Sequence, residues 1–254
     1  MRYFLQLSYL GTPFNGWQRQ KNSNETVQQC IETALTTVLR ETCKVTGCGR
    51  TDTGVHARGY WAHFDAAHVI NFKNTAVLLA KLNAVLPESI SVDALYNVSQ
   101  QAHARFDALS RSYEYLIIRK PNPFFNGRAW FVYGPLDIEA MNHAVTDIVG
   151  HNDFKSFCKA HGQQKTTYCT IQTASWTVRE DGIWCFSVTA DRFLRGMVRA
   201  LVGTMVQVGQ NKRPATDLKR IREALNRMQC GPQAPAHGLY FTGATYLKTL
   251  FNAG

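Results

Sequence analysis

A single carboxylate, Asp52, stands between two glycines in the run Gly49-Arg50-Thr51-Asp52-Thr53-Gly54-Val55-His56-Ala57, with an arginine two residues before it and a histidine four after. The apolar residues around it are too sparse for a helical stripe, and glycines at 49 and 54 would weaken a strand. The run therefore reads as a Gly-bounded loop between two strands. Such a backbone turns sharply and lets another chain come close, while Asp52 stands beside the fixed charge of Arg50. A carboxylate so placed is either a turn former, bonding its own backbone, or an ionised nucleophile. An aspartyl nucleophile for phosphotransfer is expected to have a second carboxylate close by for Mg²⁺, and Thr51 and Thr53–Ala57 supply none.

Two other places carry groups able to act on a substrate. Arg192, Arg195 and Arg199 follow i, i+3, i+7 spacing, which on a helix over Phe193–Gln207 puts them on one face. Met197, Val198, Leu201, Val202 and Met205 fill the remaining surface, so this helix is largely buried. Its cations either form a solvated side or hold phosphates or one nearby carboxylate. Gly196 and Gly203 each cost about 1 kcal/mol of helix stability against Ala and mark the close approach of another backbone. Arg111-Ser112-Tyr113-Glu114-Tyr115 sets two tyrosines and an arginine on one face of a strand, which suits either core packing or stacking on a base.

Metal and disulfide chemistry have little support. The seven cysteines include no C-x-x-C pair, and the eight histidines include no H-x-x-H or H-x-x-x-H pair. Cys30 falls on the apolar stripe of a helix, as a small buried thiol in a reducing compartment would. The formal charge of +10 is unevenly placed: residues 1–108 carry 10 Lys and Arg against 8 Asp and Glu, and residues 109–254 carry 18 against 10. A basic half of this kind favours a polyanion, nucleic acid being the commonest. The N-terminus lacks the apolar core of a signal peptide and no apolar run approaches a membrane span, so a soluble, cytoplasmic protein is expected.

The elements that must position these groups follow from periodicity. Tyr3, Leu5, Leu7 and Tyr9 alternate as a strand that Gly11-Thr12-Pro13 ends. In the loop Phe14–Gln20, Trp17 either contacts RNA or anchors the loop to the core. Thr26 and Gln29 have capping-box spacing ahead of a helical stripe from Val27 to Leu39. A short strand near Cys43–Thr46 leads into the Asp52 loop, and Tyr60, Ala62 and Phe64 alternate out of it. A helix over Asn74–Leu86 stops at Pro87, and Ile90–Val98 alternate as a strand. In the second half, strands at Tyr113–Ile117 and Trp130–Tyr133 precede a helix capped by Asp137 and closed by Gly150. Residues 151–167 read as a polar surface insertion, and Ala174–Val178 pair with Trp184–Val188 across Asp181-Gly182. A helix over Thr216–Asn226 and a strand over Leu239–Leu247 complete the chain.

In this order the motifs resemble the tRNA pseudouridine synthase A family. The resemblance runs through Tyr9-Leu10-Gly11, Gly16-Trp17-Gln18-Arg19-Gln20, the loop Gly49–Ala57, His103-Ala104-Arg105-Phe106, Arg111–Tyr115 and Met197-Val198-Arg199 with Gly203. It implies isomerisation of uridine to pseudouridine at positions 38 to 40 of the tRNA anticodon stem-loop, without cofactor or metal, by a homodimer. It also implies that Asp52 is the catalytic carboxylate and Arg199 its basic partner. Tyr113 would stack on the target base, and Arg50 would help to hold that base out of the stem, with Arg195 a further substrate contact. The expected fold is α+β, with two β-α-β-β-α-β-type (ferredoxin-like) domains, 1–106 and 107–254, whose antiparallel sheets are flanked by helices. The alternative is a non-catalytic tandem RNA-binding protein, which would have no need of Asp52 beside Arg50.

Overall fold

Strand β1 (Arg2–Tyr9) anchors the first half of the chain. In the computed structural model, which describes residues 1–20, 22, 25–70, 74–159 and 166–251, β1 pairs antiparallel with both β3 (His56–Asp65) and β4 (Ile90–Asn97). The short β2 (Val45–Gly47) pairs with β3, so the strands run β4-β1-β3-β2. Helices α1 (Val27–Leu39) and α2 (Thr75–Val85) pack on each other. This is the β-α-β-β-α-β order expected from periodicity. Thr26 caps α1 where its spacing predicts, its Oγ1 accepting from the Gln29 amide at 3.4 Å. Trp17 is 1% exposed, so the loop it belongs to is pinned to the core by that ring.

One face of β1 buries Tyr3, Leu5 and Leu7, as alternation requires, but Phe4 on the other face is also fully buried. The end of the chain covers it: the Tyr246 and Phe251 rings lie 5.4 and 6.0 Å from Phe4. The chain accordingly forms two compact units, residues 1–109 with 241–254, and residues 110–240. The sequence places everything after residue 106 in the second domain. The difference lies in β10 (Leu239–Thr245), which neighbours β3, and in the Leu109 amide bonding the Thr245 carbonyl at 2.9 Å.

The second unit has its own antiparallel order, β5 (Ser110–Ile118), β9 (Trp184–Ala190), β8 (Tyr168–Val178) and β7 (Gly150–Asp153). A two-residue strand, β6 (Trp130–Phe131), pairs with β5 in parallel, so this sheet is mixed where a purely antiparallel one is expected. Helix α3 (Ile138–Thr146) packs on β8, on α4 (Met197–Gly209) and on α5 (Asp217–Glu223). The unit therefore does not repeat the β-α-β-β-α-β order of the first. Both units remain α+β, with sheets flanked by helices.

Three local expectations are corrected. Helix α3 ends at Thr146, and Gly150 (φ +96°) opens β7 instead of closing the helix. The stretch read as a surface insertion buries Phe154, Ser156 and Phe157 completely, although residues 160–165 lie outside the described residues. The α4 helix starts at Met197, four residues later than its apolar period predicts, because Gly196 adopts φ +71° and a Cβ there would overlap the Gln233 amide. The β8–β9 hairpin, by contrast, turns where expected, with Gly182 at φ +78° donating to the Arg179 carbonyl.

Candidate active site

The Asp52 loop connects β2 to β3 and is held from below by residues distant in sequence. The Asp52 carbonyl accepts from the Val55 amide at 3.1 Å, and Gly54 between them has φ +79°. That positive φ is what the third position of a type II turn demands. Thr51 is buried, its hydroxyl 2.9 Å from the Tyr9 hydroxyl and its carbonyl accepting from the Trp17 amide at 3.2 Å. Gly16, at φ +83°, lets the 11–17 loop press directly on this turn: a Cβ there would lie 2.6 Å from the Thr51 oxygen. A Cβ at Gly11 would likewise overlap the Val55 carbonyl. Tyr60 donates to the Gly49 carbonyl and stacks at 4.2 Å from Trp17.

The result is a rigid turn that presents a half-buried carboxylate. His56, four residues on, is fully buried and accepts from the Gly11 amide at 2.9 Å, so it braces the loop and takes no part at the surface. Arg50 is exposed and turns away from its sequence neighbour, its Nε donating to Gln18 Oε1 at 3.2 Å. Arg50 is thus held by a residue 32 positions away in sequence. Gly49 has open space around its Cα, so of the two bracketing glycines only Gly54 is required by the backbone.

In the second unit, Tyr113 and Tyr115 share a face of β5, as spacing predicts. Their environments differ. Tyr115 is fully buried, donates to the Pro235 carbonyl at 2.8 Å, and has its hydroxyl pKa pushed well up by burial against the opposing charge of Arg199. Tyr113 is half-buried with the Phe193 ring edge-on at 5.0 Å. Arg199 lies in the first turn of α4, where its Nε donates to the Ala234 carbonyl at 2.7 Å. The 230–234 segment crosses this helix closely: a Cβ at Gly203 would overlap the Pro232 carbonyl oxygen.

Arg192 and Arg195 precede the helix, so the single helical face predicted for the three arginines does not form. Arg195 is exposed on the turn before Gly196, its carbonyl accepting from the Lys159 amide at 2.9 Å. All seven cysteines are free thiols, buried except for the half-buried Cys30, and burial pushes the Cys43 thiol up to about 11. No helix among the described residues is long and apolar enough to cross a membrane.

Asp52 thus sits on a braced turn in the first unit, and Tyr113 and Arg199 lie in the second. Comparison with known proteins gives the chain's family. A family model described as tRNA pseudouridine synthase matches residues 144–246. The tRNA pseudouridine synthase A of Parabacteroides distasonis is 44% identical over 250 residues, covering 98% of each chain. The enzyme of the same description from Bacteroides thetaiotaomicron is 42% identical over 99% of this chain and 93% of its own. That from Porphyromonas gingivalis is 43% identical over 98% and 99%. These matches define the class, an isomerase that makes pseudouridine in tRNA, and set aside the non-catalytic RNA-binding alternative. The chain belongs to the tRNA pseudouridine synthase A family, and its activity is that of the family.

Sequence reasoning missed the residues that brace the site. Tyr9, Gly16 and Thr51 act through contacts made only in three dimensions. A local signal did exist for Gln28 and Glu32. They sit at i, i+4 on α1, where a polar pair flanks an otherwise apolar stripe.

Proposed function

We propose that the chain isomerises uridines at positions 38 to 40 of the tRNA anticodon stem-loop, as a cytoplasmic homodimer, with Asp52 as the catalytic carboxylate. The observation that carries this reading is the Asp52 turn itself. Its carboxylate is half-buried on a backbone pinned by Gly16, Tyr9 and Trp17, within the run most specific to the family. The reaction breaks the N1–C1′ bond of uridine, turns the uracil over and forms a C5–C1′ bond. C5 loses its proton and N1 gains one, so no oxidant or external group is consumed.

Each further residue has one role in this reading. The target base must leave the stem because stacking shields its reacting atoms. Tyr113 then stacks on it, Arg50 helps to hold it out of the stem, and Arg195 is a further substrate contact. Arg199 is the basic partner of Asp52 at the nucleotide. The reading requires Asp52 and Arg199 to act on the same nucleotide. The basic second half supplies phosphate contacts along the tRNA.

Tritium release from tRNA labelled at uracil C5 tests the proposal, because that hydrogen is lost only when C5 becomes the glycosidic carbon. Substrates carrying a single uridine at 38, 39 or 40 should each release tritium with wild type and not with Asp52→Ala. Release that persists in Asp52→Ala would remove Asp52 from the mechanism. Release only from uridines outside the anticodon stem-loop would overturn the positions.

A further inference from the structure

Beside the Asp52 loop lies a cavity of about 100 Å³ walled by Trp17, Gln18, Gln28, Gly49, Arg50 and Arg105, together with the β2 residues Val45, Thr46 and Gly47. Two arginines are among its lining residues and no aspartate or glutamate is. Like charges brought to one small cavity without an acid in its walls favour an anion between them.

The Arg50 side chain is held from behind, and the backbone that carries Arg105 is braced, its guanidinium lying 5.7 Å from the centre of the Phe106 ring. Arg50 Nε donates to Gln18 Oε1 at 3.2 Å, and Gln18 Nε2 donates to Gln28 Oε1 at 2.7 Å. Gln28 Nε2 in turn donates to the Val45 carbonyl at 2.9 Å and to Glu32 Oε1 at 3.1 Å. Glu32 is 9% exposed, and its carboxylate is already engaged by the Val45 amide and by Arg19, each at 3.1 Å. The relay therefore ends on a satisfied buried charge, and every amide in it has a fixed orientation. Arg105 sits on a turn whose successive amides all bond side chains. The His103 amide donates to Asp107 Oδ2 at 2.7 Å, and the Ala104 amide donates to His63 Nδ1 at 3.1 Å. The Arg105 and Phe106 amides both donate to His103 Nδ1, at 3.1 and 3.2 Å. The Tyr246 hydroxyl holds the Ala104 carbonyl at 2.6 Å.

We infer that the cavity between Arg50 and Arg105 binds one phosphodiester group of the RNA strand that carries the target uridine, and that Gln18, Gln28 and Glu32 aim Arg50 at it. This deepens the proposed function and rests on RNA reaching the Asp52 loop. A phosphate seated there fixes the strand beside the catalytic turn, so the base extruded next to it falls within reach of Asp52. Arg105 is then a binding residue, and Gln28 is a positioning residue that acts through Arg50.

Methylphosphonate scanning tests this directly. Anticodon stem-loop RNAs, each with one neutral linkage, are titrated against full-length wild type, Arg105→Ala, Arg105→Lys and Gln28→Leu at several salt concentrations. One neutral linkage should weaken wild-type binding by about tenfold, the size of a lost charge-assisted hydrogen bond, and should weaken Arg105→Ala clearly less, since only Arg50 still faces that phosphate. The log–log salt slope should fall by about 0.7 to 0.9 in Arg105→Ala, one phosphate contact, and remain in Arg105→Lys. Gln28→Leu should raise KM and leave kcat, and should add nothing to Arg50→Ala. Equal weakening of wild type and Arg105→Ala at every linkage, with an unchanged salt slope, overturns the inference even if Gln28→Leu fails to fold. Coupling that persists without tritium release would keep the phosphate site and sink the proposed reaction, so the two failures are distinguishable.

Discussion

The substitution Gly16→Ala tests whether the 11–17 loop sets the position of the Asp52 turn. Gly16 has φ +83°, a conformation that costs an L-residue about 1–2 kcal/mol. Its new Cβ would lie 2.6 Å from the Thr51 oxygen and 3.2 Å from both the Asp52 carbonyl carbon and the Thr53 nitrogen, where ordinary contact begins at 3.4 Å. All three atoms are backbone, so no side chain can swing aside, and the turn must retreat by up to about 0.8 Å. Overpacking of this kind costs about 1–3 kcal/mol, for a combined destabilisation of roughly 2–5 kcal/mol. Misplacing a reacting group by about 1 Å can cost up to a factor on the order of 100 in rate, so kcat should fall about 10- to 100-fold. Urea denaturation measures the first effect, and tritium release at saturating tRNA measures the second. Gly49→Ala is the control: nothing lies within 4 Å of its Cβ, and its stability should stay within about 0.5 kcal/mol of wild type. If Gly16→Ala loses its stability and keeps wild-type kcat, the loop does not position Asp52. If it loses neither, the close approach of the two loops carries no weight in the fold.

Further outcomes follow from other contacts. His63 is 6% exposed and accepts from the Ala104 amide, and burial, then the charges of Arg2 and His103, lower its pKa to about 4 from an ordinary 6.5 despite the opposing Asp65 and Asp107. The unfolded chain takes up this proton as pH falls through 6.5, the folded chain only near 4. Stability is therefore complete above 6.5 and declines as pH drops to 4, by about 2 kcal/mol after solvent screening at the ring. His63→Gln, which can still accept the Ala104 amide, should flatten that part of the Tm–pH curve; an unchanged slope would assign it to other groups. Gly203→Ala should destabilise by about 2 kcal/mol or more, despite the better helix propensity of Ala, because its Cβ overlaps the Pro232 carbonyl. A neutral denaturation midpoint would mean that the 230–234 segment moves aside without cost. Arg199→Ala should lower kcat by a factor on the order of 100 while tRNA affinity falls far less. Equal losses in both would make Arg199 a phosphate contact only.

The parts of the site legible in the chain were those written in short-range patterns. Gly54 announces a turn because only a residue without a Cβ takes φ +79° at low cost, and that turn is where Asp52 sits. Thr26 announces the start of α1 because its hydroxyl reaches an amide three residues on. The β8–β9 hairpin and the alternation of β3 and β4 are local in the same sense. Gly203 signalled a close backbone crossing through its cost to a helix, although the partner at Pro232 could not be named.

What stayed hidden depended on partners far along the chain. The apolar period runs through Phe193 and Leu194 into Met197, so nothing local says that the helix waits until Gly196 has turned past Gln233. That one glycine moves Arg192 and Arg195 off the helix and leaves Arg199 on it. Phe4 lies on the face of β1 that carries Gln6 and Ser8, and its burial is decided by Tyr246 and Phe251 folding back over it. Arg50 is two residues from Asp52, yet Gln18 takes its Nε, because backbone sets where a side chain starts and packing sets where it ends. The sequence by itself determined most of the strands, the caps that start α1 and α3, the β8–β9 turn and the Gly54 turn that carries Asp52, since those follow from backbone preferences within a few residues. Tertiary structure alone decided which side chains brace the Asp52 turn and which unit the C-terminal strand joins. Those choices depend on the space left when distant segments pack together.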